Sequence, residues 1–168
     1  GLGFIQRMLD EAILHCQNRF VGGKVLFSYD QVQEHLADLQ ANYTVCSALC
    51  TKSSELADIQ NDLMPLGLEA NIIKTVSSDL MQNSAQTLLQ LVGAAGYRLN
   101  HIAGRAIVDS RPFQIFEGAN DILYAQISES LIKFMKSVKE INVFEFLKDH
   151  PLAFRAVEYL KEMLNFEI

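Results

Sequence analysis

Arg111-Pro-Phe-Gln-Ile-Phe-Glu-Gly-Ala-Asn-Asp-Ile-Leu123 joins a proline-marked apolar loop to the start of an apolar-periodic helix. One carboxylate, Glu117, stands between the apolar run and Gly118. Apolar neighbours hydrate a carboxylate poorly, which raises its pKa towards the range of acid–base chemistry and makes Glu117 a candidate base. Gly118 carries no Cβ, so a ligand or another backbone can come close beside it. The plainer alternative is a carboxylate at the N-terminal end of the following helix, stabilised by the helix dipole. The two readings differ in sign, because the dipole lowers the pKa and an apolar pocket raises it.

Working outward, the helix after this loop runs from about Asn120 to Val138, with Leu123, Ile127, Leu131, Phe134 and Val138 on its inner face. On the other side lies a short helix near Ile102 to Val108. Before it comes a long one, roughly Glu69 to Val92, with Ile73, Val76, Leu80, Ser84, Thr87 and Leu91 facing inward. The small and hydroxylic members of that stripe allow close helix approach. The helix runs into Leu89-Gln-Leu-Val-Gly-Ala-Ala-Gly-Tyr97, where small residues admit close contact. Thr51 to Asp62 is polar and reads as a turn or frayed helix end, and Pro65 and Gly67 punctuate the entry to the long helix.

Further upstream, Ser28 is a candidate N-cap with Gln31 as its capping-box partner. They open a helix striped by Val32, Leu36, Leu39, Tyr43, Cys46 and Leu49. The first helix carries Leu2, Ile5, Leu9, Ile13 and Cys16 at three- and four-residue spacing and stops near Val21-Gly-Gly23. Long amphipathic helices with mostly short links, and no competing strand alternation, predict an all-α fold, an antiparallel (up-and-down) four-helix bundle over residues 1–138. Residues 139–168 read as a helical extension, with a short helix at Val143 to Leu147 and another after Pro151 striped by Phe154, Val157, Leu160 and Leu164. The polar side of that last helix holds Arg155, Glu158, Lys161 and Glu162. Mixed signs favour packing on the bundle or on a partner over lying on a membrane, which would select a basic face.

Composition narrows the function classes. A chain of 168 residues, 49% hydrophobic with three prolines and nine glycines, is long enough for one well-filled helical core. A net charge of −6 without a basic cluster argues against nucleic acid. No apolar run approaches the length of about 20 residues that a membrane-spanning helix needs. The cysteines Cys16, Cys46 and Cys50, with no secretory signal, fit a reducing intracellular setting, bacterial cytoplasm or mitochondrial matrix. Cys46 and Cys50 share a helix face at the spacing of two metal ligands, but His15 and His35 belong to no matching motif, so reduced core cysteines are expected and no metal. A di-iron bundle needs Glu-x-x-His pairs, and no glutamate here has a histidine three residues on. The start at Gly1, already inside a helical pattern and without methionine, suggests a piece of a longer protein.

Four runs in order carry a family resemblance. Arg19-Phe-Val-Gly-Gly-Lys24 resembles an Arg-x-x-Phe-Gly-Lys motif, Leu36-Ala-Asp-Leu39 a Leu-Ala-Glu-Met stretch, Gln90-Leu-Val-Gly-Ala94 a Gln-x-x-Gly-Gly run, and Phe116-Glu-Gly-Ala119 a Tyr/Phe-Glu-Gly-Thr loop. Together they resemble the C-terminal helical domain of the flavin-dependent acyl-CoA dehydrogenases over roughly Gly1 to Ser137. The resemblance implies that Glu117 abstracts the α-proton of an acyl-CoA thioester and that Gly118 lies against the substrate. It implies that Arg19 reaches the FAD pyrophosphate of a neighbouring subunit, and that Gln90, Gly93 and Ala94 contact the adenosine diphosphate half of FAD. Ala119 takes the place of a threonine that hydrogen-bonds the cofactor. Gly22 stands where the family has phenylalanine, Asp30 where a flavin-contacting glutamine is usual, and Ala94 where the second glycine is usual. Implied partners are further copies of the chain (dimer or tetramer), an acyl-CoA and an electron-transfer flavoprotein. The family's other two domains are not present, so this piece alone is expected to be inactive and without FAD. An acyl-CoA oxidase and a non-catalytic helical interaction module that kept the fold are the competing readings.

Overall fold

The computed structural model describes residues 1–56, 67–98 and 100–137. The sequence expectations for Asp62, Pro65, Val138 and the 139–168 extension lie outside the described residues. The chain divides into two compact units, Gly1–Ala125 and Gln126–Ile168.

The first unit is built from α1 (Leu2–Asn18), α2 (Asp30–Leu56), α3 (Gly67–Val92) and α4 (Ile102–Ser110), and it holds the opening turns of α5 (Asn120–Ser137). The fold is the all-α bundle that the periodicity implies. Helix α3 is its centre, packing against α1, α2 and α4. The core joins Met8, Leu9, Ala12 and Cys16 of α1 to Val32, Leu36 and Leu39 of α2, Ala85, Leu88 and Leu91 of α3, and Ala103 and Ala106 of α4. A smaller cluster of Ile5, Cys46 and Met81 extends it along α1, α2 and α3. Side chains such as Ile5, Leu39 and Leu88, fully buried, each contribute about 1.5–3 kcal/mol through removal from water. No helix among the described residues is long and apolar enough to cross a membrane.

The stripes of α1 and α2 are where the sequence places them. That of α3 is met only in part: Ser84 and Leu91 are buried as expected, but Ile73, Val76, Leu80 and Thr87 are only half-buried, and Thr75, Ser78, Met81, Ala85, Leu88 and Val92 are buried in their stead. Thr75 donates its hydroxyl back to Asn71 O (2.8 Å) and Ser78 to Thr75 O (3.0 Å). Hydroxyls satisfied within the helix can be buried without an orphaned polar group. The close approach of Gly104 to Gly96, where a Cβ on Gly104 would collide with Gly96 O, brings α4 against the segment that follows α3. Within the second unit, residues 126–137 continue α5. Ile127 is half-buried there but Leu131 is exposed, so the expected inward stripe is not followed throughout. Periodicity fixes which residues share a face, not what lies opposite.

Between α1 and α2 the structure corrects the sequence reading. Helix α1 ends at Asn18, and Val21-Gly-Gly23 is the turn of a hairpin of β1 (Phe20–Val21) and β2 (Lys24–Val25). Gly22 and Gly23 have φ of +59° and +85°, as a tight two-residue hairpin turn requires. Ser28 is not the N-cap of α2. It sits in a 3-10 turn, Leu26–Ser28, and donates to Val25 O (2.7 Å), while Tyr29 O accepts from the amides of Val32 and Gln33. The helix opens on Asp30, an acid in the first turn that suits the dipole. The polar run from Thr51 is helical to Leu56.

Candidate functional site

The loop carrying Glu117 leaves α4 through a 3-10 turn, Arg111–Gln114, with Pro112 at its start, and returns to α5 at Asn120. The amides of Ile115 and Phe116 both bond to Pro112 O (2.9 and 3.0 Å). Two residues with positive φ then reverse the chain, Glu117 at +54° and Gly118 at +101°. Glu117 is the one non-glycine residue in that region among the described residues. Left-handed backbone costs an ordinary L-residue about 1–2 kcal/mol. It is therefore held only where the surroundings over-determine it.

What holds it comes from α3. Lys74 Nζ donates to Gly118 O and to Asn120 Oδ1, each at 2.7 Å. Asn120, only 7% exposed, donates its amide to Ser78 Oγ (2.9 Å) and to Asp79 Oδ1 (2.7 Å). The same Asp79 oxygen accepts from Gln114 Nε2 at 2.6 Å, and its other oxygen accepts from the Tyr124 hydroxyl at 2.5 Å. Arg111 donates to Gln114 Oε1 at 2.5 Å, extending the chain to the start of the turn. Burial, together with this bond to Asp79, pushes the Tyr124 hydroxyl pKa up. Residues on both flanks of Glu117 are thus tied to one helix. Sequence reading missed Lys74, Asp79, Gln114 and Tyr124, and used Asn120 only as a helix boundary. Charged and amide residues on a helix carry no periodic signal.

Glu117 itself is exposed, as are Phe113 (41%), Ile115 (55%) and Phe116 (45%), with the Phe113 and Phe116 rings in tilted contact at 5.1 Å between centroids. The apolar neighbours named from the sequence flank the carboxylate but do not bury it. Ala119 O accepts from the amides of Ile122 and Leu123 (both 3.0 Å), the position at which a threonine hydroxyl would cap the helix and an alanine cannot.

A second group gathers where α3 ends. Gly93, φ +57°, turns α3 into a 3-10 segment, Gly93–Tyr97, and a Cβ there would meet nothing within 4 Å. Gln90 and Gly93 line one open cavity of about 330 Å³ with Gln86, Leu89 and Tyr97, whose ring is 91% exposed; Ala94 is exposed beside them. The group presents a side-chain amide, open backbone and an uncovered aromatic ring on one surface. Arg19 belongs to neither group. It caps α1 in extended conformation, its N–H bonding His15 O, and is exposed at the foot of the hairpin. At φ +59° the phenylalanine of the motif would be strained at Gly22, and its Cβ, 2.7 Å from the Tyr29 hydroxyl, would push that group off its bond to Val21 O. Cys46 is buried with Sγ 3.6 Å from Ser77 Oγ, and all the cysteines are free.

A family model described as "Acyl-CoA dehydrogenase, C-terminal domain" matches residues 1–132. The chain belongs to this family. It is 27% identical over 132 residues to an acyl-CoA dehydrogenase of Bacillus subtilis (strain 168), covering 79% of this chain and 34% of the relative. It is 29% identical over 121 residues to the very long-chain specific acyl-CoA dehydrogenase, mitochondrial, of Mus musculus, covering 72% of this chain and 18% of the relative. The solved butyryl-CoA dehydrogenase of Megasphaera elsdenii shares the fold with a TM-score of 0.71 at 24% identity, over 78% of this chain and 33% of that one. The acyl-CoA dehydrogenase domain therefore spans about a third or less of the relatives it matches.

Proposed function

We propose that this chain works as the C-terminal domain of an FAD-dependent acyl-CoA dehydrogenase, with Glu117 as the base. The left-handed backbone at Glu117 carries the reading. A non-glycine residue kept in a costly conformation at the tip of a tightly tied loop is what a placed functional group looks like, and not what a dipole-stabilised surface glutamate needs. The Glu117 carboxylate takes the pro-R α-proton of a fatty acyl-CoA. Its backbone N–H donates to the thioester carbonyl as negative charge develops there. The backbone beside Gly118 gives the acyl chain close approach. FAD, when bound, supplies the acceptor for the β-hydride, and the product is a trans-2-enoyl-CoA. Gln90, Gly93 and Ala94 hold the adenosine diphosphate half across a subunit interface, and Arg19 the pyrophosphate.

Exposure of Glu117 and its apolar neighbours implies a covering surface, since a dry setting is what raises a carboxylate's pKa to a base's range. On this reading the matched domain is part of a dimer or tetramer, and electrons leave to an electron-transfer flavoprotein. The setting is bacterial cytoplasm or mitochondrial matrix. Asp30 and Ala119 favour a second reading, a helical interaction module that kept the fold. Asp30 would set a negative charge near a diphosphate, and Ala119 lacks the hydroxyl.

The test uses the full-length protein carrying this chain, loaded with FAD and mixed anaerobically with acyl-CoAs of graded length. Bleaching of the flavin band is expected, and Glu117→Gln should slow it by about a hundred- to ten-thousand-fold with the yellow colour kept. Bleaching by Glu117→Gln at nearly the wild-type rate would remove the base assignment. A full-length protein that takes up no flavin would favour the interaction module.

A further inference from the structure

We propose that Lys74 and Asp79 of α3 are positioning residues that fix Glu117 by gripping its loop from both sides. The proposal rests on the reading of Glu117 as the base, and the loop geometry supports it on its own.

Glu117 makes no described side-chain contact that would place it, so its position is set through the backbone. The chain enters through Gln114 and leaves through Gly118, Asn120 and Tyr124, and every one of those residues is bonded to α3. Asp79 takes the entering side through Gln114 and the leaving side through Asn120 and Tyr124. One carboxylate is thereby shared by residues three before and seven after Glu117. Lys74 takes the carbonyl of Gly118, the residue immediately after Glu117. Asn120 links the two, its oxygen facing Lys74 and its nitrogen facing Asp79. That orientation is the one an ammonium and a carboxylate both demand, so the amide cannot flip without losing both partners. Bonds to ionised groups are the stronger kind. A helix at the centre of the bundle is also the stiffest platform the fold offers for a placed group.

The alternative is that Asp79 and Lys74 merely stabilise the domain. It predicts lower global stability with unchanged local order at the loop. The experiment therefore reads the loop first, in this 168-residue chain, by amide hydrogen exchange at Ile115 and Phe116, whose bonds to Pro112 O lie inside the gripped segment. Asp79→Leu and Lys74→Met should each speed exchange at those amides by about tenfold or more, with the amides of α1 and α2 keeping their protection. Asp79→Asn should fall between, because an amide oxygen can still face Gln114 and Asn120 while its NH2 group turns to the Tyr124 oxygen. Exchange at Ile115 and Phe116 unchanged in both Asp79→Leu and Lys74→Met overturns the proposal. Should one variant not fold, the other decides.

The second arm measures flavin reduction by acyl-CoA in the full-length, FAD-loaded protein. Asp79→Leu should lower kcat by about ten- to a hundredfold with KM little changed and flavin retained, and Asp79→Asn should recover part of the loss. An equal fall in flavin content and rate, with kcat per bound flavin intact, also overturns it. If Glu117→Gln keeps its rate while the exchange result stands, the base assignment fails and the grip on the loop survives.

Discussion

The loop around Glu117 and the hairpin around Arg19 both reverse the chain beside a residue for which we propose a role, and they do so by opposite means. The hairpin relies on backbone freedom: Gly22 and Gly23 adopt positive φ without a Cβ to oppose it, and the Tyr29 hydroxyl closes the turn on Val21 O. The Glu117 loop puts a side chain where glycine would be easier and holds it with Lys74, Asp79 and Asn120. A residue that must bring a carboxylate to one point needs such external support. An arginine reaching for a phosphate works over a wider range, since its long fork can adjust.

The largest effect expected is chemical, the loss of flavin reduction in Glu117→Gln. Next comes Asn120→Leu, which breaks the link between Lys74 and Asp79 inside the protein. It leaves a half-buried ammonium and carboxylate each short of a partner, so a cost of about 1–3 kcal/mol is expected, read as a lower urea midpoint. A change under a few tenths of a kcal/mol would mean that water replaces the amide, and the contrast between the two turns would weaken. Gly22→Ala should cost about 2 kcal/mol, combining left-handed strain with the contact to the Tyr29 hydroxyl. Tyr29→Phe in the same chain should recover the steric part and not the strain. Equal losses with and without the Tyr29 hydroxyl would place the whole cost in the backbone.

Glu117→Gly is the sharpest of these comparisons because its sign is unusual. Replacing an exposed residue by glycine ordinarily destabilises through the freedom of the unfolded chain. At φ +54° the relief of strain should outweigh that, giving stability higher by roughly 0.5–1 kcal/mol while removing the proposed base. A clear loss of stability would show that the carboxylate itself helps hold the loop.

The same contrast explains how far the sequence reaches. Glu117 stands out because a lone carboxylate in an apolar loop is chemically odd, and the helices of the bundle are visible because Leu, Ile and Val repeat with the helical period. The face of α3 is misread in part because it also buries Thr75, Ser78 and Ala85, residues that hydropathy scores as neutral. Their burial depends on hydroxyls bonding backward and on close helices, neither of which the pattern records. Asp79 is invisible for the complementary reason: a charged residue midway along a helix reads as solvent-facing until its partners on the loop are placed. The hairpin is too short to show alternation, and its glycine pair reads equally well as a helix stop. Gly-Gly between Val21 and Lys24 was the available signal.

The smallest effect lies at the Arg19 end and depends on pH. His15, half-buried on α1, has its pKa lowered by burial first, then by the charges of Arg19 at the end of its own helix and of His101 at the start of α4, with Glu11 opposing. A histidine with a lowered folded pKa takes up protons more readily when unfolded. Its contribution is therefore fully present above the unfolded value near 6.5. It is lost as the pH falls from there through the folded pKa. Thermal melts between pH 7.5 and 5.5 should show the wild type losing more stability on acidification than His15→Gln, which has no proton to take up. The effect is modest because the group is only partly buried and Glu11 offsets part of it. Arg19→Gln should reduce the same slope by a smaller amount, since it removes one of the two opposing charges and leaves the burial. Parallel melting curves for wild type and His15→Gln would mean that the α1 end relaxes enough to hydrate a protonated His15, and that this end of the bundle is looser than the α3 platform under Glu117.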